Sequence, residues 1–126
     1  MKLNVDCVRD LLISCEELPY DSHPTLDYFF GSDVLPNYSK EDISYSMEKL
    51  VEAGFIEFKV IRSLGGPSFD GIFLNISWKG HELLDTIRSE TVWNKTKDKI
   101  SNTVGSASIQ IIGAVASSIS TKLLGL

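Results

Sequence analysis

Positive charge is in short supply in this chain. Twelve Lys and Arg stand against seventeen Asp and Glu in 126 residues, giving a net charge of −5 and a pI near 4.9. That is the reverse of the footprint of a protein that lives on phosphate backbones. Histidine and cysteine are sparser still, two of each, and neither pair has the spacing of a zinc site. Cys7 and Cys15 fall eight residues apart in one predicted helix, about 12 Å along its axis, so they cannot bridge each other. The opening residues, MKLNVDCVRD, carry neither the apolar stretch nor the small-residue cleavage pattern of a secretory signal, and a reducing, cytoplasmic setting is expected. Long apolar runs are missing too. The most apolar stretch, residues 106–126, contains Gln110, Lys122 and six Ser or Thr, which is too polar for a bilayer span. The glycine-rich Gly65-Gly66-Pro67 lacks the Lys-Ser/Thr of a phosphate loop and is expected to be a hairpin turn. No cofactor, metal or catalytic constellation is expected.

What is present is the balance of an ordinary globular domain, 43% hydrophobic and 23% charged. At this length folding buries about two-thirds of the unfolded chain's surface. Residues 4–18 place Val5, Val8, Leu11, Leu12, Cys15 and Leu18 at three- and four-residue steps, the mark of an amphipathic helix opened by Asn4 or Asp6 and stopped by Pro19. Pro24, Gly31 and Pro36 then surround an aromatic run, Leu26 to Phe30, which reads as one short strand within a loop. Ser39 with Asp42 has the form of a capping box before Ile43, Met47, Leu50 and Val51, so a second helix is predicted to reach Ala53, with Gly54 at its C-cap. Residues 55–62 alternate as a strand and residues 72–78 as its return, a β-hairpin. Residues 78–88 and 91–104 read as helical, with Trp78 in the core and Trp93 open between core and partner contact. Residues after Gly105 set Ile109, Ile112, Ala116, Ile119, Leu123 and Leu126 at alternating steps of three and four, an apolar stripe that needs a partner.

The charge is unevenly placed. Residues 1–36 hold Lys2 and Arg9 against seven acids, the whole net charge of the chain. The second helix carries Lys40 and Lys49 against Glu41, Asp42, Glu48 and Glu52. Lys95, Lys97 and Lys99 form a locally basic stretch, most simply a solvated helix face. His81 and Asp85 share a helical face at four-residue spacing, but no other ligand lies close in sequence, and a surface role is expected. Cys7 and Cys15 are expected to be buried small hydrophobes.

A helix ending in KLVEAGFIEF (Lys49 to Phe58), followed by a glycine-tipped hairpin and another helix, has the sequence shape of a winged helix. A longer set of residues is more specific. Tyr38-Ser39, Glu41-Asp42-Ile43, Leu50 to Ile56, Gly65-Gly66-Pro67, Ile76 to Arg88 and Thr91 to Lys95 resemble the small phage and prophage proteins of the domain-of-unknown-function family numbered 2513, over nearly the whole chain. The resemblance implies a winged-helix-like fold in a mobile-element setting and implies no activity.

The expected fold is therefore α+β. A winged-helix-like domain over residues 1–104, with a two- or three-stranded antiparallel sheet and additional C-terminal helices, precedes an amphipathic helix in residues 105–126 that packs on the domain or self-associates. The expected function is a non-enzymatic protein-interaction module that binds a protein partner and forms homo-oligomers through Ile109, Ile112, Ala116, Ile119 and Leu123. The alternative is a DNA-binding transcriptional regulator using Lys40, Tyr45, Lys49 and Arg62. Fold analogy supports that alternative, and the acidic charge opposes it. A helix-turn-helix also needs a helix just before the recognition helix, whereas Pro24 and Pro36 bracket non-helical sequence there.

Overall fold

The structure is a computed structural model that describes residues 1–30, 33–61 and 69–126. The predicted turn at Gly65-Gly66-Pro67 and the candidate contact Arg62 lie outside the described residues. Among the described residues the fold is α+β, with five α-helices and one two-stranded antiparallel sheet. Contacts divide the chain into two compact units, Met1–His81 and Glu82–Leu126.

The first unit begins with α1 (Val5–Glu16), where the Asn4 side chain accepts the Cys7 N–H at 3.1 Å and so caps a backbone donor the helix cannot satisfy itself. Its apolar stripe, Cys7, Val8, Leu11, Leu12 and Cys15, is buried. The next helix, α2 (Lys40–Glu52), is capped by the Ser39 hydroxyl, which accepts the Asp42 N–H at 3.1 Å. At its other end Gly54 adopts φ 82°, while the Phe55 N–H reaches the Leu50 carbonyl and the Gly54 N–H the Val51 carbonyl. That pair of bonds is a Schellman closure, which requires a left-handed residue where glycine sits. It turns the chain directly into β1 (Ile56–Val60), which pairs with β2 (Gly71–Ile76), Ile56 opposite Ile76 and Val60 opposite Gly71. α1 and α2 pack together, and Tyr38 donates to the Asp10 carboxylate at 2.6 Å between α1 and the entry to α2.

Residues 26–30 differ from expectation. They form one turn of 3-10 helix, Leu26–Phe30, and strand pairing there is limited to an isolated bridge between Thr25 and Ile72. The reason is the spacing of the residues to be buried. Side chains three apart eclipse in a 3-10 turn, and it is Leu26 and Phe29 that are buried, while alternation would have buried Tyr28, which is 44% exposed. Phe29 packs edge-on to Phe73, ring centroids 6.3 Å apart.

Trp78 is a second correction. It opens α3 (Trp78–Ile87) and is 82% exposed rather than in the core. Two residues on, Gly80 faces the Phe55 backbone so closely that a Cβ there would collide with the Phe55 carbonyl and the Ile76 side chain. Positions two apart on a helix are about 200° apart around its axis, so seating Gly80 inward turns Trp78 outward.

In the second unit, α4 (Glu90–Thr103) starts afresh at Ser89, whose hydroxyl accepts the Val92 N–H at 3.3 Å. The segment from Trp78 to Val104 is thus two helices. Val92, Trp93, Thr96 and Ile100 are buried, which places Trp93 in the interior. The Thr96 hydroxyl is satisfied by the Val92 carbonyl one turn back, at 2.7 Å. Gly105, at φ 83°, ends the run. Ser108 caps α5 (Ile109–Leu123), which packs along α4. Ile112 and Ala116 of the apolar stripe are buried and Ile109 and Ile119 half-buried, while Leu123 is 54% exposed.

Two substitutions test this packing in opposite directions. Gly80→Ala is expected to lower the urea midpoint by the cost of overpacking, about 1–3 kcal/mol, although alanine is the better helix former. Ser46 in α2 is buried and its hydroxyl has no oxygen or nitrogen partner among the described residues, so Ser46→Ala is expected to leave stability unchanged or raise it by about 1 kcal/mol.

Candidate functional site

The exposed side of α2 meets the 26–30 turn and the residues leading into β2 around a cavity of about 470 Å³. Leu26, Asp27 and Phe30 line it from the turn, Lys40, Glu41, Ser44, Tyr45 and Glu48 from α2, and Phe69 and Asp70 from the approach to β2, with Met1 at its edge. The periodicity of α2 explains its share. Ile43, Met47 and Leu50 go inward, and positions off that stripe, Lys40, Ser44, Tyr45 and Glu48, are left to the other face.

Charge and aromaticity define the cavity. Among the described residues Asp27, Glu41, Glu48 and Asp70 contribute four carboxylates against one lysine, Lys40. Among the described residues Asp27, Glu41 and Glu48 have no ion-pair partner. Three rings share the lining, those of Phe30, Tyr45 and Phe69, and Phe69 is stacked on Phe58 with centroids 5.2 Å apart. The Lys40 ammonium lies over the Phe30 ring, 5.8 Å from its centroid.

Of the four residues named for nucleic-acid contact, Lys40 and Tyr45 therefore line one cavity. Lys49 does not line it. It pairs with Glu52 at 2.8 Å and lies 5.4 Å from the Tyr45 ring centroid. The Glu52 hydrogen bond holds the Lys49 ammonium in its charged form, so its pKa is raised. Sequence reasoning missed Asp27, Phe30, Phe69 and Asp70 as parts of this surface. The available signal was an acid beside an aromatic in two separate loops, Asp27 with Tyr28 and Phe69 with Asp70, and nothing in a linear reading brings those loops to α2.

A second groove, of about 520 Å³, brings His23 and His81 into one lining with Glu16, Asp21 and the exposed Tyr20. These two histidines are far apart in sequence, and His23 carried no expected role. The His23 Nδ1 lies 3.2 Å from the Phe73 carbonyl, which ties the imidazole to the β2 edge. Among the described residues no three His, Cys, Asp or Glu side chains are placed to hold a metal ion. Asp85, the helical neighbour considered for His81, forms an ion pair with Arg88 at 2.7 Å.

Neither thiol is prepared for nucleophilic chemistry. Burial pushes the Cys7 thiol up to about 11, against a smaller opposing contact with the Ser46 hydroxyl, and burial raises Cys15 further. A thiolate is the reactive form. Iodoacetamide at neutral pH is therefore expected to leave the folded chain unmodified and to add two carbamidomethyl groups once urea is present, read by intact mass. Modification of the folded chain at either cysteine would contradict the burial described.

The hypothetical-protein family DUF2513 matches residues 2–107 of the chain. An uncharacterized protein of Haemophilus influenzae is 36% identical over 125 residues, covering 98% of this chain and 99% of its own length. No solved structure matches. Among the described residues no helix is long and apolar enough to cross a membrane.

Proposed function

The chain belongs to the DUF2513 family of hypothetical proteins, and from that premise and the chemistry of the α2 face we propose that it is a non-enzymatic protein-interaction module with a winged-helix-like first unit. The observation that carries this reading is the charge around α2. In a winged helix the helix before the hairpin is the one that approaches DNA, and here that helix opens, among the described residues, onto four carboxylates and one lysine. Phosphate is repelled from such a surface. The order of helix, 3-10 turn, helix and β-hairpin, with Thr25 bridging to Ile72, supports the winged-helix description. The phage or prophage setting that the sequence resemblance implies is part of the same proposal.

Self-association through α5 is the second component. Ile112 and Ala116 are occupied within the unit, but Leu123, Leu124 and Leu126 stay exposed at the end of the stripe. Exposed apolar surface of this kind marks an interaction site.

The alternative, a DNA-binding transcriptional regulator, is favoured by the presence of Lys40, Tyr45 and Lys49 on α2. One titration separates the two. Fluorescence anisotropy with random-sequence duplex at low salt is expected to show no binding at about 10 μM protein, inside the usual range of non-specific affinity. Binding that weakens steeply with added salt would overturn the module reading. Light scattering on the same sample is expected to give more than the monomer mass of 14.0 kDa, with Leu123→Glu returning the chain to that mass. A monomer from the unaltered chain removes the self-association component.

A further inference from the structure

We propose that the cavity between α2 and the 26–30 turn docks a cationic side chain, arginine or lysine, carried on a basic segment of a partner protein. The proposal rests on the interaction-module reading and names the chemistry of its partner. Charge complementarity selects the occupant. Asp27, Glu41, Glu48 and Asp70 converge on the cavity from three separate stretches of chain, and Asp27, Glu41 and Glu48 are unpaired among the described residues. A ligand that brings positive charge meets carboxylates in excess, and a negative one meets Lys40 alone against their repulsion.

Shape and rings sharpen the choice. The volume, about 470 Å³, is that of a ligand cleft rather than a packing flaw. Phe30, Tyr45 and Phe69 give it aromatic faces, and a ring face attracts a cation. The chain itself demonstrates this attraction, because the Lys40 ammonium already stands over Phe30. Lys40 is exposed, on a flexible stem at the first position of α2, and a guanidinium from a partner can take the ring face while Lys40 swings to solvent. Arginine suits the site better than lysine, since its planar head stacks on a ring and bonds carboxylates at once.

The test uses the full chain and a fluorescein-labelled poly-arginine peptide, followed by anisotropy. An acidic protein attracts such a peptide diffusely, so the comparison is between variants of equal charge. Asp27→Asn with Glu48→Gln is expected to weaken binding by about tenfold, while Glu17→Gln with Glu82→Gln, both exposed and outside the cavity, has little effect. Lys40→Ala frees the Phe30 face and is expected to tighten binding more than Lys2→Ala does. Thermal melts confirm that each variant is folded, and Lys40→Ala leaves the core untouched, so the outcome does not hang on the double variant. Equal weakening by both carboxylate pairs, equal effects of the two lysine variants, or no peptide binding would each overturn the cavity assignment. Silence toward both peptide and duplex DNA overturns the cavity assignment and leaves the module reading in place, whereas duplex binding overturns both.

Discussion

The burial of Phe29 is the constraint from which the rest of the α2 surface follows. The ring is fully enclosed, edge-on to Phe73 of β2, and Leu26, three residues earlier, is buried beside it. Removing a phenylalanine of this kind costs about 3–5 kcal/mol, a large share of what holds a chain of this size together. Because a 3-10 turn repeats every three residues, fixing Leu26 and Phe29 inward fixes Asp27 and Phe30 on the remaining faces. Those are the residues that reach the cavity at α2. The same aromatic contact that closes the core thus sets an acid and a ring beside the helix.

The helix is placed with equal economy. Ser39 caps its start, the Gly54 closure ends it, and Tyr38 ties its entry to Asp10 of α1. The Tyr38 hydroxyl, partly removed from water and donating to a carboxylate, is raised in pKa and remains protonated. A helix anchored at both ends presents its outer side chains on a fixed surface, and here that surface is acidic and aromatic. Fold and nucleic-acid affinity are separable properties, since the scaffold fixes where a helix points and the side chains decide what it attracts.

Much of this fold is legible in the sequence, and for identifiable reasons. α1, α2, the hairpin and α5 carry strong periodicity with caps at their ends, Asn4, Ser39 and Ser108 among them, and local patterns of that kind report directly on local structure. Residues 26–30 mislead because a five-residue aromatic run suits a strand or a tight turn, and only the position of Phe73, far along the chain, decides between them. Trp78 misleads for a similar reason. Its size argues for burial, but the close approach of Gly80 to Phe55 turns the helix the other way. The candidate site is legible only in part. Lys40 and Tyr45 stand out on a helix, whereas Asp27, Phe69 and Asp70 join them through tertiary contacts that no spacing encodes.

On the proposed reading, α2 presents a surface for positive charge rather than for phosphate. Amide chemical shifts of the full-length protein, recorded at one low salt concentration with an arginine-bearing peptide and then with duplex DNA, test it most directly. The peptide is expected to move the resonances of residues 26–30, 40–48 and 69–70 while the duplex leaves them in place. Perturbation of α2 by the duplex, with no response to the peptide, would contradict it.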